Sequence, residues 1–132
     1  MPRLVPPHVH PPATTPDDPR VGHLLGSALV DGRRARAGIV AFPVDEGVRR
    51  NGGRVGAAAA PAAIRAALAR LTPDAALHEA MSELLAETAD LGDIDPIGPL
   101  EEDQQRLGDV LAPHLAEGRF AIVLGGGHGT SL

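Results

Sequence analysis

The chain has 132 residues, a formal net charge of −5, no cysteine, and two phenylalanines as its only aromatic residues. That length suits one domain. The acidic balance excludes a phosphate-backbone binder with a basic stripe, and the lack of cysteine excludes a disulfide framework or a thiolate zinc site. No apolar run approaches the ~18 residues of a membrane span, and "MPRLVPPHVHPPATTPDDP" lacks the apolar stretch of a signal peptide, so a cytoplasmic protein without nucleic-acid or membrane partners is expected.

Residues 1–20 hold seven of the thirteen prolines. Each proline removes a donor and restricts its neighbour, so this stretch reads as a disordered or polyproline-like tail. His8 and His10 within it are taken as solvated rather than as a metal motif. Residues 21–132 form the domain. Residues 17–30 read as a short helix, with Asp17 or Asp18 as cap, Pro19 in the first turn, and Leu24, Leu25 and Leu29 along one side. "GRRAR" (32–36) is a basic connector. "AGIVAF" (37–42) is a continuous apolar run, the mark of a strand buried on both faces. A polar, Gly-rich loop of nineteen residues (43–61) follows, expected to lack regular structure.

Pro61 opens a helix, with Ile64, Leu68 and Leu71 at helical spacing. Residues 72–87 hold another, capped by Thr72, with Leu77, Met81, Leu84 and Leu85 inward and His78 partly exposed. "TADLGDI" (88–94) is strand-like. Pro99 opens a helix through about Glu117, with Leu107, Val110, Leu111 and Leu115 on one stripe and Gly118 as its stop. Pro113 is expected to kink or tighten its last turn. "RFAIVL" (119–124) is the clearest strand.

Strand, helix, strand, helix, strand implies βαβ units and a mainly parallel sheet. Ligands of such sheets bind beyond the carboxyl ends of the strands. The Gly-rich stretches 43–57 and 125–129 both fall at carboxyl ends, so they belong to one rim. "GGGHGTS" fits neither familiar phosphate cradle. The Walker pattern needs a lysine, which the chain lacks, and the dinucleotide fingerprint is not met. What remains is His128, an imidazole at a strand exit and a candidate metal ligand. In the loop, Asp45 and Glu46 precede Arg49, Arg50 and Arg54. Two readings stand side by side. One is a charged surface loop with internal ion pairs. The other is an arginine cluster that grips a carboxylate bidentately. A long loop inside a compact domain is unusual unless functional.

"FPVDEGVRRNGGRVGAAAAPAAIRAAL", "ADLGDI" and "IVLGGGH", in this order and spacing, resemble the N-terminal portion of the ureohydrolase (arginase/agmatinase) family. The loop is most similar to that of its formimidoylglutamase branch. The resemblance covers about residues 37–128. It implies an α/β three-layer sandwich with a mainly parallel sheet, incomplete here. It also implies a centre of two Mn²⁺ ions whose bridging hydroxide attacks an amidine carbon, because paired cations lower the pKa of a shared water. His128 maps to the family's first metal ligand. The family's other ligands come after this histidine in chain order, in Asp-x-His-x-Asp and Asp-x-Asp motifs, and Gly129 stands where the branch usually has Glu. Asp93 and Asp95 are not in the family's metal set and are read as turn or cap residues.

The implied reaction is hydrolysis of N-formimidoyl-L-glutamate to L-glutamate and formamide in histidine degradation, by a homo-oligomeric enzyme. Arg49, Asn51 and Arg54 are assigned to the substrate side, because an acidic substrate suits an Arg-rich rim. With one ligand, the chain by itself is expected to hold Mn²⁺ poorly and to lack activity. Agmatinase or arginase specificity is the alternative within the family, although "RRNGGR" disfavours a cationic substrate. A non-catalytic remnant or interaction module is the alternative outside it. Three parallel strands without neighbours would leave an apolar edge.

Overall fold

The computed structural model describes residues 3–7, 13, 17–25 and 35–130, with the side chain of Thr130 excepted. His8, His10, Leu29 and residues 32–34 of the basic connector lie outside the described residues. Four strands form one sheet in the order β1-β3-β2-β4. These are β1 (Leu4–Val5), β2 (Ala37–Phe42), β3 (Thr88–Ile94) and β4 (Phe120–Gly125). Strands β3 and β4 flank β2 in parallel, and β1 pairs antiparallel with β3.

The helices are α1 (Val21–Leu24), α2 (Glu46–Arg50), α3 (Ala60–Arg70), α4 (His78–Ala86) and α5 (Leu100–Ala116). Alternation along β2 sorts the core into two halves. Val40 and Phe42 pack with Ile94, Leu100, Leu107 and Val110 on the α5 side. Ile39 and Ala41 pack with Leu124, Leu25 and Leu68 on the α1/α3 side. All six β2 residues are buried, as a strand covered on both faces requires. The expected three-layer α/β arrangement with a mainly parallel sheet is therefore present.

The Pro-rich tail departs from expectation at Leu4–Val5, which form an antiparallel edge strand on Ile94 and Asp93. Prolines allow this because the strand is two residues long and lies at an edge, where few amides are needed. Its neighbour β3 is bulged. Ile39 pairs with Asp90 and Val40 with Gly92, leaving Leu91 as the extra residue. Gly92 has φ +99°, and a Cβ there would collide with the Val5 carbonyl oxygen.

Helix α1 is described over four residues, with Arg20 rather than an aspartate at its N-cap. Asp18 instead pairs with Arg20 at 2.7 Å. Helix α3 buries Pro61, Arg65 and Ala69, while Ile64 and Leu71 are exposed. Leu68 packs on the core as expected, but the rest of the inward stripe carries a charge in place of Ile64 and Leu71. Arg65 donates to Asp90 through Nε and Nη2, both at 2.8 Å, and also pairs with Asp93. Buried ions need such partners.

The segment before α4 is capped by Asp74, whose carboxylate accepts from the Ala76 amide at 2.8 Å, and not by Thr72. No residue of α4 is buried. Leu77 and Leu84 are exposed rather than inward, and Leu84 borders an open apolar groove instead of the core. That groove, of about 830 Å³, also involves Leu25, Leu68, Phe120 and Ile122. On α5 the buried stripe is Leu100, Asp103, Leu107, Val110 and His114, and Leu115 is exposed. Pro113 sits within the helix without ending it. The stop is Gly118 at φ +72°. The Gly118 amide bonds Leu115 O at 3.0 Å and the Arg119 amide bonds His114 O at 2.9 Å, the paired closure of a Schellman end. Among the described residues no helix is long and apolar enough to cross a membrane.

Candidate functional site

The two Gly-rich stretches meet at the carboxyl rim. Beyond β2 the Val44 amide turns back to Phe42 O at 2.8 Å. Beyond β4 the Gly126 amide reaches the same carbonyl at 3.0 Å, and the Gly127 amide reaches Val44 O at 2.9 Å. This closeness needs glycine. A Cβ on Gly126 would come within 2.5 Å of Val44 O, and one on Gly127 within 2.7 Å of a Val48 methyl. The glycines therefore let two backbones crowd together, and they bring α2 against the turn that carries His128.

His128 opens a short 3₁₀ turn, His128–Thr130, and is exposed at the rim. Helix α5 braces that turn from below. Gln104 Nε2 donates to the Gly129 carbonyl at 2.8 Å, and Leu100 lies against Gly129. Gln104 carries no sequence signal for this role. It is one of two adjacent glutamines in a polar helix, and its partner lies 25 positions away.

The loop expected to lack structure contains α2 and a 3₁₀ turn at Ala57–Ala59. Its charges are largely paired. Glu46 accepts from Arg49 Nε at 2.7 Å and from Arg50 Nε at 3.4 Å. Arg50 reaches on to Glu101 in the first turn of α5. The hydrogen bond from Arg49 holds the Glu46 carboxyl below its ordinary range. Asp45 Oδ2 accepts from the Gly56 amide at 2.7 Å and the Ala58 amide at 3.2 Å. These bonds, the Gly56 one foremost, lower the Asp45 carboxyl as well. Asn51 ends α2, its amide bonding Gly47 O at 3.2 Å. Arg54 is exposed and, among the described residues, has no ion-pair or hydrogen-bond partner. A polar recess of about 360 Å³ lies beside Asp45, Glu46, Arg50, Gly98 and Asp103. The larger apolar groove opens at the amino ends of the strands, by Ala37, Thr88 and Phe120, away from His128.

His128 supplies an imidazole of the right donor type for a divalent transition metal. Among the described residues, however, no three His, Asp or Glu side chains converge as a metal group. The described residues therefore do not by themselves make a two-metal site. Asp93 is committed to Arg65. Asp95 serves a turn, with its carbonyl accepting from the Ile97 amide at 2.9 Å.

The arginase family model matches residues 35–132. The formimidoylglutamase of Chromobacterium violaceum is 41% identical over 109 residues, covering 83% of this chain and 33% of that protein. The formimidoylglutamase of Geobacillus kaustophilus is 41% identical over 107 residues, covering 81% and 31%. A crystal structure of Trypanosoma cruzi formiminoglutamase with Mn²⁺ superposes with a TM-score of 0.64 at 37% identity, covering 81% of this chain and 36% of that one. The chain thus spans about a third of the length of the curated relatives it matches. With a sheet, a Gly-rich rim and a sequence that all agree, the chain belongs to the arginase family.

Proposed function

We propose that this chain contributes the first metal ligand and an acidic-substrate rim to a Mn²⁺-dependent hydrolase of N-formimidoyl-L-glutamate. The products are L-glutamate and formamide, and the enzyme works in the cytoplasm on a small-molecule substrate. His128 is the metal ligand. Arg49, Asn51 and Arg54 lie on the substrate side.

The observation that carries this reading is the seating of the Arg-rich loop on the His128 turn, through Val48 against Gly127. The fold thereby joins a metal-type imidazole to a guanidinium-rich rim, and the Chromobacterium violaceum relative at 41% identity is a formimidoylglutamase. A substrate with two carboxylates complements that rim, whereas cationic arginine or agmatine does not.

The test is a fusion of this chain to the remaining two thirds of the Chromobacterium violaceum enzyme, assayed with Mn²⁺. Formamide release from N-formimidoyl-L-glutamate, far exceeding urea release from arginine or agmatine, is expected. Preference for arginine or agmatine would overturn the reading. The 132-residue chain alone is expected to give no turnover.

A second reading, a non-catalytic docking module, draws on the absence of a three-ligand group among the described residues and on Phe120, which is 72% exposed on β4. A fusion without turnover of any amidine substrate would favour it.

A further inference from the structure

We propose that Arg54 is the residue of this rim that binds a substrate carboxylate, and that Arg49 and Arg50 instead brace the loop that presents it. This rests on the acidic-substrate reading above and assigns roles within it.

The three loop arginines are not equivalent. Arg49 is held by Glu46, and Arg50 is shared between Glu46 and Glu101. Their guanidinium donors already face carboxylates of the chain. A substrate carboxylate would have to displace those partners and leave Glu46 unpaired beside it. Arg54 has no such partner among the described residues, so its full donor fork is available.

The backbone around Arg54 is nonetheless fixed. On one side Gly52 turns at φ +73°, and the Gly53 amide bonds Val48 O at 2.9 Å. On the other side Gly56, at φ +140°, is pinned with Ala58 to the Asp45 carboxylate. Arg54 therefore projects from a short arch clamped at both feet. The near foot is tied to Val48, whose methyl lies over Gly127, the neighbour of His128. A clamped arch lowers the ordering cost of binding, the usual benefit of preorganisation. The chemistry at the tip is one unpaired guanidinium, which matches a carboxylate in bidentate fashion.

The experiment uses the 132-residue chain and glutarate, a dicarboxylate without an amine. ¹H–¹⁵N spectra are recorded during titration. The Arg54 Nε–Hε signal and the amides of residues 52–56 are expected to shift, with an apparent Kd on the order of millimolar. The shifts should weaken with added salt. Agmatine should leave them unmoved. Arg54→Ala should abolish them, Arg54→Lys should weaken binding roughly threefold or more because the fork is lost, and Arg70→Ala should change nothing. Absence of glutarate-dependent shifts, or unchanged shifts in Arg54→Ala, would overturn the assignment. Failure of the broader reading shows separately, as fusion turnover that prefers agmatine or arginine.

Discussion

Gln104 Nε2 donates a hydrogen bond of 2.8 Å to the carbonyl of Gly129, the residue after His128. One amide side chain on α5 thus fixes the turn that aims the candidate ligand. A typical net hydrogen bond contributes about 1 kcal/mol. Gln104→Ala should lower stability by about that amount in urea denaturation. It should also speed hydrogen exchange at Gly127–Gly129 more than in β2. Unchanged exchange at those glycines would mean the bond does not hold the turn.

Arg65 is 4% exposed in its side chain and bridges α3 to Asp90 and Asp93 of β3. Burial opposes its charge, and the two carboxylates overcome that effect and leave its pKa raised. Removing the cation strands two aspartates, so Arg65→Met should destabilise by about 3 kcal/mol. Asp93→Asn leaves the bidentate Asp90 pair and should cost less. Equal losses for both variants, measured by chemical denaturation, would contradict this division.

Gly92 holds φ +99° in the β3 bulge, directly under the Val5 carbonyl. Gly92→Ala should cost about 1–3 kcal/mol and release β1 from β3. The check is loss of amide protection at the Leu4–Ile94 pairing, with β2–β4 protection retained.

His114 is buried on α5, with Nδ1 3.2 Å from Arg119 Nη1. Burial, aided by the Arg119 charge, depresses its pKa below the ordinary 6.5, and Glu117 partly offsets this. The unfolded chain therefore binds the proton more readily than the folded one. Stability from this group is complete above about pH 6.5 and declines as pH falls toward the depressed folded value. His114→Gln should flatten the stability profile between pH 7 and 5. A wild-type profile already flat there would remove His114 from the account.

The elements carrying the sheet were legible because their signals are local. Ala37–Phe42 matches its apolar run, Thr88–Ile94 matches its strand-like stretch, and α5 lies between Pro99 and Gly118 as its punctuation implies. The rim was legible for a related reason, since glycine runs at strand exits mark backbone crowding. What escaped depends on distant partners. Arg65 reads as an ordinary helix arginine until Asp90 and Asp93, 25 and 28 positions on, receive it. Leu84 reads as core until the groove beside it stays open. Leu4–Val5 has no strand signal among its prolines, and only the free edge of β3 recruits it. At the site, the arginine count was visible, but its division between braced and unpaired side chains follows from Glu46 and Glu101.

The central claim is that His128 ligates catalytic metal in an enzyme acting on an acidic amidine. The direct measurement is Mn²⁺-dependent formamide release from N-formimidoyl-L-glutamate by the fusion, with His128 and with His128→Ala. Loss of a metal ligand should reduce turnover by at least about a hundredfold and raise the Mn²⁺ requirement. Equal turnover and equal Mn²⁺ dependence in the two proteins would contradict the account.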